Sequence, residues 1–448
     1  MDLLELAGKI LSNALKLGVE TAAVVVRANN RKMIKLVNNE IATTMRWREA
    51  RASLLLAKKG RVVVTSLSEL DEKSIKEHLG AIVKTMNMLN PLKDYAGLPR
   101  GPFNYQAIPD LYDKNILELS VSGEDVELAN QAIDSALEEG AQRTAGVLEY
   151  GETAKALCTS EAVEAFEKGT FIRVSLRAFL RAEESGHGVS CSRTLRGFSP
   201  EDAGRHAGKT AAGNVNSRTG EAGTYTVLLH PMVVANLFGY MTYLGMSAYS
   251  YDAGTSFLTG KLGEEVASDE LTLSDNGRLA NGLGSTAFDD EGVPTRETVL
   301  IEKGVLRNLL HNTRTASKFR VASTGNAGWL TPRPWNVVIS PGNSELEDMI
   351  ERIKKGLYVT NNWYTRFQNV REGMFSTICR DAVFYIENGE VKYPVKGLRI
   401  SDRFSNILAG IIDASRERQQ IYWWEADIPT LAPYLLVENV NVTRALGA

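Results

Sequence analysis

Asp2-Leu3-Leu4-Glu5-Leu6-Ala7-Gly8-Lys9-Ile10-Leu11-Ser12-Asn13-Ala14-Leu15-Lys16-Leu17-Gly18 is the stretch on which the fold turns. Leu3, Leu6, Ala7, Ile10, Leu11, Ala14 and Leu15 recur at helical spacing, and Gly18 supplies a stop, so the segment predicts an amphipathic helix. Strand-like runs follow at 22–27, 33–37, 41–47, 52–57 and 61–65, with Lys59-Gly60 as a turn between the last two. Residues 68–87 return to helical spacing. Helix, antiparallel strands and helix make one block.

The block comes back. Glu5-Leu6-Ala7 is echoed by Glu127-Leu128-Ala129, Ala14-Leu15 by Ala136-Leu137, and Gly18 by Gly140, each 122 residues on. Strand-like runs again follow, at 145–150, 155–159, 162–166, 171–179 and 188–193. A helix at 200–212 closes the block, with Ser199 as its N-cap and Pro200 in its first turn. Element order and helix register agree together, which points to an internal duplication. Between the blocks, residues 90–120 hold Pro91, Pro99, Pro102 and Pro109 without a strong period and read as a long connection.

From about residue 224 the texture changes. A strand at 224–229 leads into an almost wholly apolar helix at 231–246. Glycine-rich turns and short strands follow, interrupted by a helix at 344–356. The fold class expected is α+β. Residues 1–220 form an N-terminal domain of antiparallel sheet with helices, in two similar halves (about 1–90 and 122–214). Residues 221–448 form a β-rich C-terminal domain.

Composition narrows the function. In 448 residues, 51 Lys and Arg face 54 Asp and Glu, a net charge of −3 that argues against coating nucleic acid. Three cysteines exclude a disulfide scaffold and suit a reducing compartment. No apolar run reaches the roughly 18 residues of a membrane span, and Asp2 and Glu5 stand where a signal peptide is basic. A cytoplasmic location is expected.

Several motifs approach a known chemistry and miss it. The segment Gly254-Thr255-Ser256-Phe257-Leu258-Thr259-Gly260-Lys261 has one residue too many for a phosphate-binding loop, and Leu262 follows where Ser or Thr would bind magnesium. Gly188-Val189-Ser190-Cys191-Ser192 lacks the second glycine of a nucleophile elbow and sits in a strand-like run. Cys158, Cys191 and Cys379 form no close pair, and Cys158 and Cys191 read as core or face residues. His230 ends a strand before a helix, but Pro231-Met232-Val233-Val234-Ala235 brings no second histidine and no glutamate. Asp289-Asp290-Glu291 reads as a solvated or structurally hydrogen-bonded turn, with cation binding as the rival. Trp363, Tyr364 and Phe367, and Tyr422-Trp423-Trp424, suit either a peptide cleft or subunit contact, or core packing.

Ordered segments of the C-terminal half resemble the TldD/PmbA family, the modulator of DNA gyrase family. They are 256–264, Phe288-Asp289-Asp290-Glu291-Gly292-Val293-Pro294-Thr295, 300–306, Ser323-Thr324-Gly325-Asn326-Ala327, 356–359 and 386–391. Val37-Asn38-Asn39-Glu40-Ile41 matches more weakly, and the resemblance spans nearly the whole chain. It implies a zinc peptidase system acting on peptides or unfolded proteins, in which a TldD-type chain carries the metal and a PmbA/TldE-type partner lacks it. The family motif His-Glu-x-x-x-His, completed by a cysteine near the C-terminus, would fall on His230, Pro231 and Ala235, and residues 423–435 contain no cysteine. One imidazole cannot hold a catalytic zinc, which needs about three protein ligands.

The expected role is therefore a PmbA/TldE-like subunit with no catalytic residue and no metal ligand of its own, His230 being a remnant. Zinc would come from a TldD-like partner. The expected contacts to peptide are Trp363, Tyr364 and Arg366, with Asn326. The rivals are a self-sufficient metallopeptidase with a non-standard site around His230, and a homodimeric module binding extended peptides at a sheet edge. The partner is a TldD-like subunit or a second copy of the chain. Neither membrane nor direct nucleic-acid binding is expected.

Overall fold

The computed structural model describes residues 2–444. Helix α1 (Leu3–Lys16) starts where the Asp2 carboxylate accepts from Leu4 N and Glu5 N. Strands β1 (Thr21–Val37), β2 (Glu40–Lys58) and β3 (Arg61–Leu67) precede α2 (Glu72–Met86). After the proline-bearing connection come α3 (Asn115–Ser122), α4 (Glu124–Glu138), β4 (Arg143–Thr159), β5 (Glu164–Phe179), β6 (Ser185–Ser192) and α5 (Pro200–Gly213). The six strands form one antiparallel sheet in the order β3-β2-β1-β4-β5-β6. Strands β1 and β4 lie side by side, paired from Ala23↔Thr159 to Val37↔Ala145. Each has 17 residues, and β4 both starts and ends 122 residues after β1.

Period-2 alternation divides this sheet into two faces. On one, Val24, Val26, Ile34 and Leu36 of β1, Leu148, Tyr150, Ala156 and Cys158 of β4, and Ile172, Val174 and Leu176 of β5 pack in the cores that include α1, α4 and α5. On the other stand Arg27, Asn29 and Arg31, then Glu149, Thr153 and Lys155, then Glu167, Phe171 and Arg173. That polar face is turned toward the C-terminal half. This explains why the strands run longer than the hydrophobic runs predicted. The polar centres of β1, β2 and β4, which broke the apolar pattern, are ordinary strand.

The C-terminal half adds β7 (Arg218–Thr219), β8 (Gly223–Leu229), α6 (Pro231–Gly245), α7 (Ala248–Asp252), β9 (Leu273–Asn276), β10 (Glu297–Glu302), β11 (Val305–Leu306) and α8 (Thr313–Phe319). Then follow β12 (Val337–Ile339), α9 (Leu346–Glu351), β13 (Lys355–Asn369), β14 (Met374–Glu387), β15 (Glu390–Lys396) and β16 (Leu398–Arg403). α10 (Phe404–Ala409), β17 (Ile411–Trp423) and β18 (Ala426–Arg444) complete it. They build a mixed sheet of twelve strands along β11-β10-β9-β12-β18-β8-β13-β14-β15-β7, with β16 and β17 joined to β18. The architecture is α+β, with a helix-backed antiparallel sheet followed by a β-rich half. Helix α6 is apolar all round because it lies inside that half, with Val233, Val234, Leu237, Phe238 and Met241 in its main core. The helix expected at 344–356 is shorter, since Lys355 and Gly356 already pair with Glu387 and Ile386 in the sheet. The connection expected at 90–120 carries no helix or strand until α3 begins at Asn115. Among the described residues no helix is long and apolar enough to cross a membrane.

A small apolar core joins the halves: Ala23, Val25, Leu157, Val163 and Ala165 of the N-terminal sheet surround Phe288. Beside it, Asp289, Asp290 and Glu291 are buried, which removes the solvated reading of that turn. Asp289 accepts from Glu291 N, Val293 N and Ala327 N, each at 2.9 Å. Glu291 accepts from Thr313 N at 2.9 Å. Gly292 turns the chain at φ +90° against Val163, and Tyr105 OH donates to its carbonyl at 2.7 Å.

Candidate functional site

Where the polar face of the N-terminal sheet meets the C-terminal half there is a cleft of about 820 Å³. Arg27, Arg31, Lys155 and Arg173 come from the sheet, Arg333 and Trp335 from the loop before β12, Tyr240 and Tyr243 from α6, and Tyr422 from β17. Its floor is a charge cluster. Arg27 and Arg333 each give an Nη2 to one oxygen of Asp290, Arg333 at 3.3 Å. Lys155 Nζ lies 3.9 Å from Asp290 and 3.9 Å from Glu167, and donates to the Phe288 carbonyl at 2.5 Å. Burial pulls the Lys155 ammonium down to about 8 against the opposing pull of Glu167 and Asp290. Asp290 is held below the usual carboxylate range, because Arg27, Arg333 and Lys155 outweigh its burial. Further along, Arg31 and Arg173 share Glu149, at 3.2 and 2.6 Å.

A second, smaller cavity of about 290 Å³ lies at the N-terminal end of α6 and includes His206, His230 and Cys191. His230 is the helix N-cap, and its Nδ1 accepts from Met232 N at 3.1 Å. A neutral imidazole has one donor and one acceptor, so Nε2 carries the proton. Its ring stacks on His206 at 4.4 Å, and neither Nε2 has a partner among the described residues. Burial pulls His206 down to about 4 and His230 well below the ordinary value, the neighbouring histidines adding to the effect on His230. The Cys191 thiol donates to the Gln420 carbonyl at 3.1 Å, and burial pushes it up to about 12.

This donor set does not fit a catalytic zinc. Metal on His230 Nε2 would move the ring proton to Nδ1, which would then oppose the Met232 N–H it now accepts. Pro231 offers no general base and Ala235 no ligand. Among the described residues no group of three or more His, Cys, Asp or Glu is placed to hold a metal ion.

A constellation absent from the motif reading lies nearby. Ser175 Oγ is 2.9 Å from His187 Nε2, His187 Nδ1 is 3.1 Å from Asn361 Nδ2, and Asn361 bonds Asp381 at 2.8 Å. It resembles a hydrolase triad, but Asn361 donates to Nδ1, so Nε2–H donates to the serine. That is the reverse of nucleophile activation, and burial pulls His187 down to about 3. The near-elbow at Gly188 also has a packing origin, since a Cβ there would sit 2.0 Å from the Ala203 carbonyl of α5. The stretch resembling a phosphate-binding loop follows the short helix α7, with no strand before it.

The expected peptide contacts separate into two places. Trp363, Tyr364 and Arg366 lie together on a bulge of β13 where Tyr364 has φ +59°. Arg366 stacks on Tyr364 at 3.8 Å and Arg380 on Trp363 at 4.8 Å. Asn362 behind them is buried and bonded to Asn236 of α6, so the aromatics project outward and are partly exposed. Asn326 is wholly buried, bonding Asp275 at 2.5 Å and the Arg333 carbonyl at 3.0 Å. Its place is behind the Arg333–Trp335 wall of the cleft. None of these four lines the cleft. The cleft residues Arg27, Arg31, Lys155 and Arg173 were missed, and their one sequence signal is the cationic interruption of otherwise apolar strands.

With that geometry in hand, known proteins supply the family. Residues 222–444 match the PmbA/TldA metallopeptidase C-terminal domain. An uncharacterized protein of Methanocaldococcus jannaschii is 28% identical over 348 residues, which is 76% of this chain and 78% of that one. Relatives named metalloprotease TldD or PmbA align over about half of their own length. A Thermotoga maritima structure described as a candidate modulator of a DNA gyrase superposes with TM-score 0.84 at 25% identity, covering 98% of this chain and 99% of that one. TldE of Thermococcus kodakarensis superposes with TM-score 0.84 at 22% identity, covering 98% and 100%, a likeness of fold. The chain belongs to the TldD/PmbA family.

Proposed function

We propose that this chain is a PmbA/TldE-type, peptide-handling subunit of a cytoplasmic TldD/PmbA protease system, and that zinc and the activated water come from a TldD-type partner. The observation that carries this reading is the commitment of His230. Its Nδ1 caps α6 and its neighbours are Pro231 and Ala235, so the position of the family metal motif is occupied by structural groups. The likeness in fold to TldE over the whole chain supports the same reading. In this role the chain encloses and orients peptide or unfolded protein, and the cleft and the Trp363–Tyr364 bulge are its contact surfaces.

The test pairs metal analysis with reconstitution. The purified chain should carry well under one zinc and leave a denatured protein substrate intact. Adding a TldD-type subunit should give a stable complex that cleaves the substrate faster than that subunit alone. Stoichiometric zinc with hydrolysis by this chain alone would overturn the reading and favour a self-sufficient peptidase.

A further inference from the structure

Seven cationic side chains and three carboxylates line the 820 Å³ cleft. The excess has a definite arrangement. Two arginines share Asp290, and two others share Glu149. Glu167 is itself engaged by Ala287 N at 2.7 Å and by Thr286 Oγ1. Arg27, Arg333 and Lys155 against Asp290 and Glu167 leave about one positive charge uncompensated in a partly desolvated setting, where Coulomb attraction to an anion is stronger than in water, whereas at the other pair Arg31 also reaches the exposed Glu49 at 3.7 Å.

The hydrogen-bond inventory points the same way. One arginine of each pair, Arg31 and Arg333, has a buried Nε–H with no partner among the described residues. An unpaired buried donor is destabilising, so both sites are short of an acceptor, and the Asp290 site is short of a negative charge as well. Trp335, Tyr422, Tyr240 and Phe171 wall the same space. Arg333 stacks on Trp335 at 4.8 Å and Arg173 on Tyr422 at 5.0 Å, which fixes both guanidinium planes against rings.

We propose that this cleft binds carboxylate-bearing peptide, with the carboxylate received by Arg31 or Arg333 and the rest of the peptide lying against the aromatic walls. The ligand chemistry, a carboxylate on a short peptide, is available from a free C-terminus or from an Asp or Glu side chain. The choice of a peptide rests on the peptide-handling role proposed above, whereas the anion preference rests on the geometry alone.

Calorimetric titration of the full chain at low salt tests it, using three acetylated peptides of matched sequence and inorganic phosphate. One peptide has a free C-terminus, one a C-terminal amide with an internal Glu, and one an amide with no acid. At least one acidic peptide should bind about tenfold or more tightly than the neutral amide, the ratio expected of one charge-assisted bond, and the better of the two identifies the source. Whichever of Arg333→Gln and Arg31→Gln removes the receiving guanidinium should cost the acidic peptide about tenfold and leave the neutral one unchanged; if neither costs anything, the proposal is overturned. Should either variant misfold, Lys168→Gln at the rim and the salt dependence of the unaltered chain decide the matter, since only acidic peptides should weaken as salt rises. Equal binding of acidic and neutral peptides, phosphate binding as tight as any peptide, or no binding overturns the proposal. Acid-selective binding without stimulation of a TldD-type partner would sustain the cleft and remove the subunit role. Stimulation of the partner without acid selectivity would do the opposite.

Discussion

At Gly292 the backbone sits at φ +90°, and a Cβ would lie 2.6 Å from Val163 Cγ1 and 3.1 Å from Leu157 Cδ2. Only glycine meets both demands. Gly292→Ala combines a left-handed conformation with overpacking of the core around Phe288, and should destabilise the chain by about 2–4 kcal/mol. Urea unfolding measures it, and a loss below 0.5 kcal/mol, taken as roughly the level of an ordinary surface change, would refute the packing account. The turn itself was legible from Asp290-Glu291-Gly292, but its burial was not. The cations that neutralise Asp290 come from Arg27, 263 residues away in sequence, and from Lys155 and Arg333. No local pattern in one sequence reports such a meeting. For the same reason Asn326 could be marked as notable but not recognised as the tie between Asp275 and Arg333.

Elements with a local cause were legible. Helix α5 begins as its N-cap and first-turn proline predict, with Ser199 Oγ accepting from Asp202 N at 3.3 Å. Ser199→Ala should therefore cost about 1 kcal/mol, read as a shift in the denaturation midpoint, and Ser199→Asp should restore it. Helix α6 was legible from its unbroken apolar run, because a helix buried along most of its length, with only Tyr240, Tyr243 and Leu244 less covered, needs no polar face. Strands β1 and β4 were only half legible. Their alternate residues face a charged cleft instead of a second apolar core, so Arg27, Asn29 and Arg31 looked like an interruption. The bulge at Trp363–Tyr364 was visible only as an aromatic cluster, since its outward direction depends on Asn362 being held by Asn236, Thr365 and Thr377.

For the whole molecule, His187 and His230 are buried and His206 is half-buried, and all three are held as neutral rings. An unfolded histidine takes up a proton below about pH 6.5, whereas the folded His206 waits until about 4. Its contribution to stability is thus complete above about pH 6.5 and is lost as the pH falls toward the folded value. Asp289 and Glu291, pushed up to about 7 and about 8 by burial, act in the opposite sense, since the stability they contribute when protonated is lost as pH rises through those values. The wild-type profile mixes both. His206→Asn separates them, because the variant no longer binds that proton on unfolding. Whatever it costs at pH 7, its stability relative to wild type should improve by about 2 kcal/mol at pH 5. Guanidinium titrations at the two pH values check this, and a pH-independent difference would show that His206 is not held neutral.

Asn30 of β1 is paired with Glu152 of β4, and those positions are also 122 residues apart. A residue thus faces the position 122 places on, and the pairs on either side are related by exchange about that point. The β1–β4 seam has the form of an isologous dimer interface folded into a single chain. The two edges match each other in side chains as well as in register, Arg31 of β1 meeting Glu149 of β4, so what the long connection gives the sheet is effective concentration: it makes the pairing intramolecular.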